Sequence, residues 1–139
     1  DPMLPEKDLH KLDHKYFVID YDLNYRLARA VTYNMTSEMI RKGRPGSRKD
    51  SFRQDPLLVK AKLPLVKADE YDTGYDRGHL ANSADFTQTD EANRSTFVMS
   101  NMVPQKPKLN RDAWGALEDE VRLWGCGEEK IQVISGPVL

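Results

Sequence analysis

The sequence predicts an α+β domain built on an antiparallel sheet, and two observations carry that prediction. Between Tyr16 and Tyr33 two runs rich in β-branched and aromatic residues are separated by turn residues, and after Asn110 one amphipathic helix is followed by a Val-Ile strand. The 139 residues suit a single modest domain, able to bury roughly two-thirds of its unfolded surface. Apolar residues at 39% and charged residues at 31% place the chain among folded rather than disordered sequences.

Residues 1–14 are polar and punctuated by proline, and read as an irregular lead-in. Tyr16 to Tyr21 reads as a strand, Asp22-Leu23-Asn24 as a turn, and Arg26 to Tyr33 as the return strand of a hairpin. Thr36 to Lys42 is compatible with a helical turn, broken by Gly43, Pro45 and Gly46. From there to Gly74 no period is sustained, so this stretch is read as a long surface excursion, a kind of loop that is usually functional or mobile. Ser95 to Ser100 reads as a short strand, and Asn101 to Leu109 as an extended connection held open by Pro104 and Pro107. The helix begins at Asn110, sets Trp114, Leu117 and Val121 on one face, and ends at Gly125 and Gly127. Lys130 to Ser135 is a final strand.

Several classes are excluded. No stretch approaches the roughly 20 apolar residues of a membrane span. Cys126 stands alone, so no intrachain disulfide framework and no Cys-based zinc finger is available. No basic flank or apolar core of a leader is visible at the N-terminus, although a removed leader would leave the same picture. Net charge is −1, but between Arg41 and Lys67 nine basic residues face only Asp50 and Asp55, leaving +7 there and −8 elsewhere. Phosphate binding follows local potential rather than the sum, so the window is compatible with a polyanion. It is equally compatible with a solvated loop.

Two clusters could carry chemistry. Tyr75-Asp76-Arg77-Gly78-His79 places an acid, a guanidinium and an imidazole around a glycine. A neutral imidazole accepts a proton near pH 7 while the adjacent arginine holds phosphate. The ordinary structural reading is a turn with a satisfied histidine. On the helix, Asn110 and Glu118 are eight residues apart, roughly 80° in azimuth, and Arg122 lies one turn beyond. An amide, a carboxylate and a guanidinium along that flank could hold a hydrated cation and a phosphate together. Equally, Asn110 can be an N-cap and Glu118–Arg122 an i,i+4 pair worth a few tenths of a kcal/mol.

Taken together, Asp76-Arg77-Gly78-His79-Leu80-Ala81, Phe97 to Gln105, Leu109 to Glu118 and Ser135-Gly136-Pro137 resemble the DNA/RNA non-specific endonuclease family, the ββα-metal (His-Me finger) nucleases of the Serratia and endonuclease G type. The likeness extends back to Tyr16–Tyr21 and Val31–Tyr33. Four motifs in order are far more specific than any one of them.

The resemblance implies an α+β ββα-metal fold with a central antiparallel sheet, residues 1–139 being the N-terminal and catalytic portion of one domain that stops early. It implies hydrolysis of phosphodiester bonds in DNA and RNA with Mg²⁺, for which Mn²⁺ substitutes. His79 is then the general base, Asn110 the direct metal ligand, and Glu118 a carboxylate holding metal-bound water. Arg77 and Arg122 contact the scissile phosphate, Asn101 helps position the site, and Asp76 acts as a brace. An upstream arginine also contacts substrate; Arg48, Lys49 and Arg53 are all candidates. Mg²⁺ prefers oxygen and keeps its water, so a single amide suffices. Phosphate contacts carry little base information, consistent with non-specific cleavage.

The implied partners are DNA and RNA through their phosphates, a second chain or dimer partner completing the domain, and a protein inhibitor. A secreted or periplasmic location is favoured, with the mitochondrion as alternative. Two other functions stay open: an inactive nuclease-fold binding module, and the toxin domain of a larger secreted protein.

Overall fold

The computed structural model describes residues 9–41, 52–65, 76–106, 109–127 and 130–137. Four strands form the main sheet: β1 (Leu9–Asp13), β2 (Val18–Asp22), β3 (Leu27–Thr36) and β6 (Lys130–Ser135), in the order β1-β2-β3-β6. Every neighbour is antiparallel. The expected hairpin is therefore present as β2–β3, with Ile19 opposite Val31 and a register shift between Asp20 and Tyr21. Period-two alternation sends Val31, Tyr33 and Met35 into the core and leaves Thr32 and Asn34 outside it. The terminal strand pairs Val133 with Tyr33 and Ile131 with Met35. Just past it, a Cβ on Gly136 would lie 2.3 Å from the Arg29 carbonyl oxygen, so only glycine lets the chain leave β6 this close to β3.

The described part of the lead-in is not irregular: Leu9 to Asp13 pair with Asp22 to Val18 as β1, and residues 1–8 lie outside the described residues. Only Leu12 of that strand is buried, so its polar residues decorate an edge and hide the strand from a hydropathy reading. A helical turn follows β3 as α1 (Ser37–Arg41). The excursion beyond it lies mostly outside the described residues, but it contains α2 (Pro56–Ala61). Asp55 caps this helix through the Leu57 amide and Pro56 sits in its first turn, a start signal that the short length obscured.

The region expected to hold a strand at 95–100 is corrected. Asp90–Ser95 is a helix, α3, capped by Thr89, and Met99–Asn101 is a 3-10 turn. Val98 contributes one parallel bridge to Arg53. The strand falls later, in what reads as a connection: β5 (Met102–Gln105) pairs antiparallel with β4 (Asp76–His79), with Pro104 opposite Arg77. A proline is tolerated there because a two-stranded ribbon has an outer side that needs no amide donor. The long helix opens as a π-helical turn (Leu109–Trp114) and continues as α4 (Gly115–Gly127).

One face of the sheet packs against α4, α2, β5 and the segment between β4 and β5. Leu12, Phe17, Ile19, Tyr21, Val31 and Met35 meet Leu58, Leu80, Ala81 and Phe86 in the main core. Val121 packs against that core, whereas Leu117, expected on the same stripe, is 46% exposed. Phe97, Met99 and Met102 form a second, smaller cluster with Phe52 at its edge. Among the described residues no helix is long and apolar enough to cross a membrane.

Candidate active site

The β4–β5 ribbon sets the site's frame. Successive strand residues point to opposite faces, so Arg77 and His79 share one face and Gly78 faces the other. A Cβ on Gly78 would fall 2.3 Å from Oε1 and 2.8 Å from Cγ of Gln105, whose side chain lies across the glycine. His79 is 7% exposed. Its ring stands edge-on to Phe97, with centroids 4.7 Å apart and planes at 85°, a geometry favoured by the aromatic quadrupole. Phe52 lies next to both, 5.3 Å from Phe97 and 6.2 Å from His79. The guanidinium of Arg77 sits 4.6 Å over the Phe52 ring.

Asn101 holds the turn that leaves β4. Its Oδ1 accepts from the Ala81 amide at 2.8 Å, while Nδ2 donates to the carbonyls of Ala81 at 3.1 Å and Thr96 at 2.9 Å. The Leu80 amide donates to the Asn101 carbonyl at 3.0 Å. The residue is fully buried, and its amide ties the chain just after His79 to the loop after α3. Its three side-chain hydrogen bonds all go to backbone groups.

The helix is joined to the ribbon through Trp114, whose Nε1 donates to the His79 carbonyl at 3.3 Å. One turn later Glu118 lines a small cavity of about 50 Å³ together with Trp114, Leu80, Asn82, Asp85 and Tyr33. Asp85 accepts from the Tyr33 hydroxyl at 2.7 Å. Burial pushes the Asp85 carboxyl up to about 6, opposed by the Tyr33 hydrogen bond and the charge of Arg122. The same burial, with Asp85 beside it, pushes the Tyr33 phenol up. Arg122 pairs with Asp119 at 3.1 Å, at i,i+3.

The structure thus brings Arg77, His79 and Asn101 onto one ribbon and its supporting turn, and carries Glu118 and Arg122 on the helix pinned to it. Asn110 lies on the π-helical turn between these parts, but its side chain is outside the described residues, as is that of Asp76. Arg48 and Lys49 also lie outside them. Arg53 is fastened by its backbone: its amide donates to the Phe97 carbonyl at 3.0 Å, and its carbonyl accepts from the Met99 amide at 2.8 Å. Sequence reasoning missed Phe52, Asp85 and the role of the Trp114 indole. The only local hints were the position of Phe52 inside the basic window and of Asp85 six residues past His79.

Among the described residues no three His, Cys, Asp or Glu side chains converge as a metal cage. The cavity at the ribbon–helix junction is lined by oxygen-bearing side chains of Glu118, Asp85 and Asn82 beside Leu80, Leu117, Val121 and Val133. A strongly hydrated ion needing few protein ligands suits such oxygens better than zinc does.

A short antiparallel ribbon carrying a histidine and an arginine is thus joined to a helix carrying a carboxylate. The chain belongs to the DNA/RNA non-specific endonuclease family, whose model matches residues 3–139. This is a family of metal-dependent hydrolases. Relatives include a nuclease of Nostoc sp., 35% identical over 121 residues that cover 87% of this chain and 43% of that protein. Human mitochondrial endonuclease G is 35% identical over 122 residues, 88% of this chain and 40% of that protein. A solved structure described as an EndoG/EndoGI complex, concerned with the mechanism of EndoG inhibition, matches with a TM-score of 0.79 and 29% identity. The match covers 93% of this chain and 53% of that one. The chain thus spans about two-fifths of the length of these curated relatives.

Proposed function

We propose that residues 1–139 supply the N-terminal and catalytic portion of a Mg²⁺-dependent, sugar-non-specific endonuclease acting on DNA and RNA. The observation that carries this reading is the placement of His79. Its imidazole is enclosed at the ribbon–helix junction, braced by Phe97, beside Arg77 on the same strand face. A base held in this way can take a proton from an attacking water without paying for reorientation.

His79 accepts that proton at a ring nitrogen. Arg77 and Arg122 bring fixed positive charge to the phosphate as its negative charge grows. Arg53, with Arg48, supplies the upstream cationic contact. Asn101 keeps the turn after His79 from drifting. Mg²⁺, with Mn²⁺ as a substitute, bound directly by Asn110 and through water by Glu118, would neutralise phosphate charge and that of the leaving oxygen. None of these contacts involves a base edge or needs a 2′-hydroxyl, so both nucleic acids are substrates. A protein inhibitor covering the cleft, and a second chain completing the domain, are the further partners of this reading. Secretion or a periplasmic location remains the favoured compartment, and the mitochondrion, named for several relatives, is the alternative.

The test is digestion of supercoiled plasmid and of a structured RNA with Mg²⁺ and with EDTA, for the wild type and His79→Ala. Cleavage of both substrates by the wild type, abolished by EDTA, is expected. His79→Ala should lose on the order of 10²–10⁴-fold in rate while its Mg²⁺ titration midpoint stays put. Plasmid surviving Mg²⁺ at high protein concentration points instead to a binding module without activity.

A further inference from the structure

Phe52 belongs to neither motif, yet it occupies the centre of the site's aromatic packing. Its segment is zipped alongside Phe97–Met99 by two backbone hydrogen bonds, Arg53 N to Phe97 O at 3.0 Å and Met99 N to Arg53 O at 2.8 Å. These fix the Phe52 backbone relative to the loop that carries Phe97. The Phe52 ring meets the Phe97 ring edge-on at 75°, and the Phe97 ring in turn braces His79 at 85°. The guanidinium of Arg77 lies 4.6 Å over the Phe52 ring. One ring thus bears on both polar residues that β4 presents on its reactive face.

We propose that Phe52 is a positioning residue of the cleavage site, holding the Arg77 guanidinium over its ring while backing the Phe97–His79 pair, so that guanidinium and imidazole keep a fixed separation. This rests on the nuclease reading given above. The physical reason is that a long arginine side chain loses much rotamer freedom when it engages phosphate. A guanidinium already held against an aromatic surface has lost part of that freedom in advance, and its in-plane N–H donors remain directed outward. Such preorganisation lowers the barrier of the chemical step more than it raises substrate affinity. Leucine retains much of the apolar bulk and none of the ring quadrupole; tyrosine retains the ring.

The experiment compares Phe52→Leu and Phe52→Tyr with the wild type in two measurements. In steady-state cleavage of a defined duplex, Phe52→Leu is expected to lower kcat about 5- to 30-fold with KM within about threefold, and Phe52→Tyr to stay within about threefold of wild type. In a cycle with Arg77→Ala, the loss caused by Arg77→Ala should shrink in the Phe52→Leu background, because the two residues act as one unit. In NMR spectra of the protein without nucleic acid, the Arg77 side-chain protons should show an upfield ring-current displacement that Phe52→Leu abolishes and Phe52→Tyr preserves. The proposal is overturned if folded Phe52→Leu keeps wild-type kcat, if leucine and tyrosine variants lose activity equally, or if the Arg77 resonances ignore the substitution. A wild type that cleaves nothing would defeat the nuclease reading alone, since the NMR comparison still decides whether Phe52 holds Arg77.

Discussion

Asp55→Ala should be among the most damaging single substitutions outside the ribbon, although Asp55 touches no candidate reactive group. One carboxylate serves three elements. Oδ1 accepts from the Leu57 amide at 2.8 Å and caps α2. Oδ2 pairs with His14 Nε2 at 2.7 Å in the β1–β2 turn, and also accepts a short hydrogen bond from Ser100 Oγ, next to Asn101. Since a carboxylate can only accept, the His14 Nε2 carries the hydrogen. Burial alone would raise the Asp55 pKa, but the hydrogen bonds and charge of His14, with Ser100 and the Leu57 amide, lower it overall. Removing the cap costs about 1 kcal/mol. Leaving the enclosed Ser100 hydroxyl and His14 ring without their acceptor costs about 1–3 kcal/mol each. A total of about 3–7 kcal/mol is a large share of the roughly 5–15 kcal/mol that holds a domain together. Asp55→Asn keeps an oxygen for the cap and should lose about half as much. Urea unfolding followed by Trp fluorescence measures this as a fall in midpoint at constant slope. The sign with pH is set by the lowered pKa. The carboxylate's contribution is complete above the ordinary carboxylate value of about 4 and disappears as pH falls through the lower folded-state value. The gap between wild type and Asp55→Ala should therefore persist at mildly acid pH and close only in strong acid. An alanine variant within 1 kcal/mol of wild type, or indistinguishable from asparagine, would refute the argument.

Three other outcomes are expected. Gly78→Ala must displace a Gln105 side chain lying 2.3–2.8 Å from the new Cβ, so it should cost about 1–3 kcal/mol and lower cleavage along with thermal stability; unchanged melting would show that Gln105 swings away freely. Asp85→Asn removes a carboxyl raised to about 6. The folded state holds that proton more tightly than the unfolded chain, so stability now falls as pH rises from about 4 to 6. The variant should flatten that slope and gain up to about 3 kcal/mol at neutral pH, read from unfolding free energies measured across pH 4–8; parallel profiles would contradict it. Asn101→Ala strips three hydrogen bonds from buried backbone groups and should destabilise by about 3 kcal/mol or more, with Asn101→Asp, which keeps the acceptor, losing less in the same denaturation assay.

Local chemistry was enough to identify much of this chain. The β2–β3 hairpin, the final strand and the long helix were legible because each carries its own period over six residues or more. The Arg77-Gly78-His79 cluster and the Glu118/Arg122 flank were legible as candidates because reactive groups at close spacing are visible without a fold. What tertiary structure alone decided are the features whose cause lies elsewhere in the chain. β1 is a strand because β2 offers an edge to its polar residues. Met102–Gln105 is a strand, despite Pro104, because Asp76–His79 lies opposite. Thr96 and Asn101 matter because their backbone and amide groups meet across a turn. Phe52 stands 25 residues before Arg77 and 45 before Phe97, and nothing in its neighbours foretells that two rings and a guanidinium come together beside His79. Periodicity and motif chemistry are written within a few residues of one another, whereas packing partners are chosen only when the whole chain closes.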